Sequence, residues 1–298
     1  MSGSCSARQR NYPLSVVIPT LGGESLRETI KHLNSGTLVP AEILVCIPED
    51  EAYKLEDLLF PNVTLIKTNC RGQVAQRACG FQLARHPLVL QLDDDILVRD
   101  DCLQKMADFI MPYPRASVGP AFYDLATARY RSHLVRASHK KTAFDTLLYW
   151  IVNGPRGYQP GQIGISGVNV GIPETPDNWH DLGWLPGGCV LHRREHLILF
   201  NFYPFKGKAH AEDLFHSLLL RQRGVRLLRC GSAICDVEFT SSSLRNLRTV
   251  AKDYIKYAKR MTIFVRTMRG SVTRLYCFLL LNIVRIAVNH VVARRTNV

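Results

Sequence analysis

Leu88-Val89-Leu90-Gln91-Leu92-Asp93-Asp94-Asp95-Ile96-Leu97-Val98 sets three adjacent carboxylates between two apolar runs. The first run is apolar almost throughout, so it reads as a strand buried on both faces, because a half-exposed strand would alternate. Three charges at its end, with apolar residues resuming at once, do not describe a chain running out into water. Carboxylates packed this tightly repel one another unless a cation sits among them, and hard oxygen donors suit Mg2+ or Mn2+. A solvated acidic turn is the competing reading, and the surrounding sequence decides between them.

Outward from the triplet, Leu14–Pro19 (LSVVIP) is a β-branched run closed by Pro-Thr-Leu-Gly-Gly, a buried first strand and its turn. Residues 24–33 predict a helix starting near Gly23 or Ser25, Ile43–Ile47 a second strand, and Val63–Lys67 a third. Gln73–Ala84 predicts a helix with small and apolar residues on one side, leading into the strand Leu88–Leu92. Strands and helices in alternation, with continuous apolar strands, indicate an α/β, Rossmann-like, mostly parallel sheet with helices on both faces. Ligands of such sheets bind at the carboxyl ends of the strands, which is where Asp93–Asp95 fall.

A length of 298 residues fits one large α/β domain with an appendage. With 46% hydrophobic and 21% charged residues, wholesale disorder is excluded. The net charge of +13 is unevenly placed: from Leu244 onward twelve basic residues face the single acid Asp253, so this tail carries +11. The charge therefore speaks of the tail's partner more than of the body's ligand. Nine cysteines, odd in number and without a C-x-x-C pair, read as reduced core residues, Cys46 and Cys189 lying within apolar runs. Arg8 and Arg10 are followed by no apolar segment, so no cleaved signal peptide is expected. His133, His139, His180, His210 and His216 show no zinc-enzyme spacing. The glycine-rich segment Asn153–Gly171 matches no phosphate-loop motif and reads as either a mobile loop beside a ligand or a hairpin.

Within the tail, Leu275–Val292 is eighteen residues long, at the lower limit for spanning a bilayer, and has Arg285 near its middle. Asn282, Arg285 and Asn289 fall on one helical face as a polar stripe, which favours a helix lying in the interface over one crossing it. The basic stretch before it is interleaved with Tyr254, Ile255, Tyr257, Ile263, Phe264 and Val265, a pattern suited to anionic headgroups. A helical appendage packed on the body or in a dimer is the alternative. The expected organisation is an N-terminal tail over 1–12, an α/β domain over 13–240 and a basic amphipathic helical membrane-association region over 241–298. The expected location is cytoplasmic, peripheral on the cytosolic face of a membrane.

Five ordered motifs carry a family resemblance: Ser15-Val16-Val17-Ile18-Pro19-Thr20; Gly72, Arg77, Gly80 and Ala84; Leu92-Asp93-Asp94-Asp95; Trp184, Gly187, Gly188 and Arg193-Arg194-Glu195; and Glu212-Asp213 with Arg221 and Gly224. Over residues 13–235 the chain resembles glycosyltransferase family 2, inverting nucleotide-sugar transferases of the GT-A fold. The resemblance implies a nucleotide-diphospho-sugar donor bordered by Pro19, Thr20, Glu24, Glu49, Arg77, Asp93 and Asp94. It implies Mg2+ or Mn2+ held by Asp95 and Asp93, and a donor–acceptor wall of Trp184, Gly187, Gly188 and Glu212. Asp213 would be the general base toward a glycan or lipid-linked acceptor. No nucleic acid is expected.

The chain also departs from the family. Leu21 and Gly22 replace an aromatic and an asparagine, Ile47-Pro48 precede the acids Glu49 and Asp50, and Ala78 replaces an asparagine. Cys235-Asp236-Val237-Glu238 holds no histidine for the metal, whose last ligand is left unassigned. Two other classes compete. A haloacid-dehalogenase-type phosphatase needs a small polar residue where Leu97 stands, and its Asp-x-Asp usually lies near the N-terminus. A basic membrane- or nucleic-acid-binding protein with a degenerate nucleotide fold leaves Asp93–Asp95 and Glu212-Asp213 unexplained.

Overall fold

A computed structural model of the chain describes residues 12–130, 143–173, 177–203, 205, 209–238 and 247–296, with side chains of the last stretch described over 252–284. The N-terminal tail apart from Tyr12, Cys5, His133, His139 and the side chains of Arg285 and Asn289 lie outside the described residues.

In chain order the elements are β1 (Leu14–Pro19), α1 (Ser25–Ser35), β2 (Glu42–Pro48), β3 (Val63–Thr68), α2 (Gln73–Leu83), β4 (Leu88–Leu92), β5 (Ile96–Val98) and α3 (Cys102–Ile110). They continue as β6 (Ala116–Asp124), β7 (Arg129–Tyr130), α4 (Ala143–Asn153), β8 (Cys189–Arg193), α5 (Glu212–Gln222), β9 (Arg226–Val237), α6 (Leu247–Thr267) and α7 (Val272–Thr296). One sheet runs β3-β2-β1-β4-β8-β6-β9-β5, with β7 paired to β6. The parallel sheet read from the sequence is the half made by β3, β2, β1 and β4. Beyond β4 the chain enters β8 antiparallel, β6 pairs β8 antiparallel and β9 parallel, and β5 closes the far edge antiparallel to β9.

The continuous apolar runs are explained by cover on both faces. Val16, Ile18, Ile43, Val45 and Leu90 face α1 and α3, while Val17, Leu44, Cys46 and Val89 face Phe81 of α2. Helix α2 lies so close to the sheet that a Cβ on Gly80 would strike Val17 and come 2.7 Å from Cys46 Sγ. Gln76 on the same helix donates to the carbonyls of Thr20 and Cys46, both at 2.8 Å, tying the carboxyl ends of β1 and β2 together.

The tail is part of the core. Met261, Phe264, Val265 and Leu275 are buried in a cluster with Leu148 and Val152 of α4 and Leu214 and Phe215 of α5. The Phe264 and Phe215 ring centroids lie 5.0 Å apart. The turn between α6 and α7 is fastened where Ser271 N donates to Ile165 O at 2.6 Å. The glycine-rich segment beneath it is hairpin-like, Ile163 bridging Asn169 and Gly164 N donating to Val168 O at 2.9 Å. Among the described residues no helix is long and apolar enough to cross a membrane. The polar stripe of α7 does not face outward at Asn282, whose side chain bonds Tyr254 of α6. Over residues 272–284 the outward face is made mostly by Tyr276, Leu280, Ile283 and Val284.

Candidate active site

Asp93 directly follows β4, the strand at which the parallel half meets β8, and two donors converge on its Oδ1: Gln73 Nε2 at 2.6 Å and Arg77 Nη2 at 3.1 Å, both from α2. Arg77 also donates from Nη1 to Glu212 Oε1 at 3.0 Å, so one buried guanidinium joins β4 to the first turn of α5. Burial alone would weaken its hold on the proton, but the two carboxylates outweigh it and keep the pKa above the ordinary arginine value. Burial pushes Asp93 up to about 6, against the pull of Arg77. Arg77, read from the sequence as near the nucleotide, is thus the strut between the two acidic motifs.

Glu212 and Asp213 open α5. The residue before them, Ala211, has φ +61°, a left-handed conformation uncommon for alanine that costs about 1 kcal/mol or more. It aims the helix so that Glu212 points inward to Arg77 while Asp213 stays half-buried. Burial, then repulsion from Glu212, pushes the Asp213 carboxyl up to about 7, although Leu214 N donates to it at 3.0 Å. A carboxylate poised there suits a general base at neutral pH. Tyr257 of α6 feels the Asp213 charge, so the tail borders this end of the site.

The Gly187-Gly188 turn is pressed between the acids. A Cβ on Gly187 would come 2.5 Å from Glu212 Oε1, and one on Gly188 would come 3.4 Å from Asp93 Oδ2. Gly188 O accepts from Asp93 N at 2.8 Å, and Gly187 O accepts from buried Gln91. A methyl at Gly187 would displace the Glu212 carboxylate, and one at Gly188 would come 2.5 Å from Ile96 Cδ1.

Other candidate residues land differently. Trp184 is fully buried with Nε1 donating to Val170 O at 3.0 Å; it packs the core behind the glycine turn instead of forming an open wall. Thr20 and Asp94 face each other through a hydroxyl–carboxylate hydrogen bond, and Asp94 O accepts from Thr29 at 3.1 Å, so this pair holds the turn after β1. Pro19 is buried at the end of β1, and Glu24 and Glu49 are exposed. Glu51, not singled out from the sequence, is the acid after β2 that turns inward, paired with Lys54 and with Arg71 at 2.8 Å. Gln73 was also missed; its neighbour Gly72 at φ +131° is the only local signal.

Asp95 is exposed, with Asp93 Oδ2 the other oxygen on this ledge free of Gln73 and Arg77. Two hard carboxylates fit a Mg2+ or Mn2+ ion that takes its remaining ligands from phosphate and water. Among the described residues no group of three metal-ligating side chains is assembled. Asp236 is engaged by Arg99 at 2.7 Å, while the register pairing Ile96 with Val237 puts exposed Glu238 beside Asp95.

A family model described as glycosyl transferase family 2 matches residues 15–165. No curated protein matches the chain. Among solved structures, a crystal structure of GalNAc-T7 with UDP, GalNAc and Mn2+ matches with a TM-score of 0.53 at 17% identity, over 89% of this chain and 54% of that one. The chain thus spans about half the length of that neighbour. The likeness shows the fold, the mixed sheet and flanking helices of the GT-A type.

Proposed function

The chain belongs to glycosyl transferase family 2 and is a glycosyltransferase, and we propose that it inverts the anomeric centre of a sugar moved from a nucleoside diphosphate to a hydroxyl. The observation that carries this reading is the meeting of Asp93, Glu212 and Asp213 around Arg77 and the Gly187-Gly188 turn, at the carboxyl end of β4. Asp213 takes the proton of the acceptor hydroxyl. The oxygen then attacks the anomeric carbon opposite the diphosphate, the carbon–oxygen bond to phosphate breaks, and configuration inverts in one displacement. Arg77 and Gln73 hold Asp93 in place on the donor side, and Glu212, fixed by its bond to Arg77, keeps its charge beside the base and helps raise it.

Asp93 and Asp95 would hold Mg2+ or Mn2+, which when bound supplies positive charge against the departing diphosphate. Pro19, Thr20, Asp94, Glu24 and Glu49 would shape the nucleoside side from the turns after β1 and β2. Trp184 would act there by fixing the glycine turn. The partners proposed are a nucleotide-diphospho-sugar donor, a glycan or lipid-linked acceptor of cell-surface polysaccharide or glycolipid synthesis and, through the basic tail, an anionic membrane surface. In this reading residues 13–240 carry the chemistry and 241–298 the membrane contact, peripheral and on the cytosolic face.

The test is a panel of nucleotide sugars read as released nucleoside diphosphate, with and without chelator, for wild type, Asp95→Ala and Asp213→Asn. Metal-dependent turnover of one donor, lost in both variants, is expected. Metal-independent turnover, or full transfer by Asp213→Asn, sinks the mechanism.

A further inference from the structure

Over residues 272–284 helix α7 is mostly apolar on the side turned away from the body, Thr273 being the polar exception. Tyr276, Leu280, Ile283 and Val284 are exposed, Leu280 by 64% and Val284 by 58%, while Leu275, Phe278 and Leu279 are buried on the opposite side. At 100° per residue the four exposed positions share one arc of the helix. Packing on neighbours fixes both borders of that arc. On one flank the Arg274 guanidinium lies 4.5 Å over the ring of Trp150 of α4, which is itself 51% exposed. On the other, Thr262 of α6 meets the Tyr276 hydroxyl at 3.2 Å. The three helices therefore present one surface, with α7 in the middle, Leu147 and Trp150 on one side and Ile255 and Ile263 on the other, all exposed.

Basic residues frame this apolar strip. Lys252, Lys256, Lys259, Arg266 and Arg269 are exposed on and after α6, and Asp253 is the one acid from Leu244 to the end of the chain. An apolar patch of this extent marks an interaction site, and the charge selects its occupant. A second copy seated across a two-fold axis would set +11 against +11. A surface of anionic headgroups over acyl chains meets both the charge and the apolar strip.

We propose that α4, α6 and α7 form a platform that seats on an anionic bilayer, Trp150, Leu280, Ile283 and Val284 entering the headgroup–acyl boundary while the lysines and arginines contact lipid phosphates. This deepens the membrane reading drawn from the tail's charge, since α4 lies outside the tail and the inserted face is apolar. The inner side of α6 packs Phe264 on Phe215, two residues from Asp213, so the seated platform stands one helix away from the base.

The test is co-sedimentation of the full chain with vesicles of phosphatidylcholine alone or with about 30 mol% of the anionic lipid phosphatidylglycerol, whose surface attracts lysine and arginine. Variants are a ridge pair, Leu280→Asp with Ile283→Asp, and a charge pair, Lys256→Glu with Lys259→Glu. Binding to the anionic vesicles at least ~10-fold tighter than to neutral ones, lost by ~10-fold or more in each pair with circular dichroism unchanged, is expected. A blue shift of emission on binding that disappears in Trp150→Phe reports insertion on the α4 side. Loss in the charge pair alone leaves an electrostatic tail and overturns the platform. No binding at either composition, or a wild-type dimer that the ridge pair splits, overturns it too. Binding is read without donor, so either outcome is separate from the fate of the transferase reading.

Discussion

At the scale of single residues, Asp213 makes the sharpest prediction because its function and its stability cost have opposite signs. Its carboxyl keeps its proton up to about 7 in the folded chain but ionises near 3.8 when exposed. The folded state therefore loses stability as pH rises from about 4 to about 7, and the loss is complete above that window. Asp213→Asn is expected to cut transfer by ~10²–10⁴. The same change should raise unfolding stability at pH 8 by on the order of 1–2 kcal/mol, the gain vanishing near pH 4. Thermal melts at the two pH values check this. The charged and titratable groups facing Asp213 are Glu212 on its own helix, Asp93 from β4, and Tyr203 and Tyr257. Initial rates should accordingly rise through about pH 7. Arg77→Ala strands Asp93 and Glu212 against each other in the interior and should cost about 3–5 kcal/mol in denaturant unfolding, together with donor binding. The acids themselves were legible in the sequence because charge beside an apolar run is visible locally. Arg77's double role, the Thr20–Asp94 pair and Gln73 were not, because each is defined by a partner distant along the chain.

Secondary-structure elements were legible where they bury both faces. β1, β2, β3, β4 and their helices lie within one or two residues of the sequence reading, since short, mainly apolar runs bounded by turn and polar residues and alternating with helical patterns read as strands covered on both faces. The other half, where antiparallel pairs flank the parallel β6–β9 pair, was not, because β5 is three residues long, β8 ends in His192-Arg193, and β6 and β9 carry polar and small residues that periodicity does not flag. Contact between elements tests the parallel half. Gly80→Ala drives a methyl into Val17 and Cys46, lifts α2 from the sheet and should destabilise by about 1–3 kcal/mol, measured by urea unfolding. Gly187→Ala acts on the loop before β8 instead. Its methyl meets Glu212 Oε1, so the expected result is a near-native melting temperature with transfer reduced ~10–100-fold, because a small misplacement at the chemistry is amplified in rate.

For the molecule as a whole, the boundary drawn by charge and the boundary drawn by packing do not coincide. Charge changes abruptly near Leu244, and charge is what a sequence shows. Burial further along does not follow the charge: Met261, Phe264, Val265 and Leu275 are as dry as the sheet, and they cluster with Phe215 and Tyr203 beside the site. Cutting the chain after residue 240 removes that cover and exposes side chains of α4 and α5, each worth about 1.5–3 kcal/mol when fully buried. The truncated chain is expected to aggregate, or to melt well below the full chain with Asp213 displaced and no transfer. If residues 1–240 instead gave a soluble, monomeric protein with an unchanged melting temperature and full release of nucleoside diphosphate, α6 and α7 would be an accessory. The basic helices would then owe their order to the membrane and not, as their packing on Phe215 implies, to the same core that positions the base.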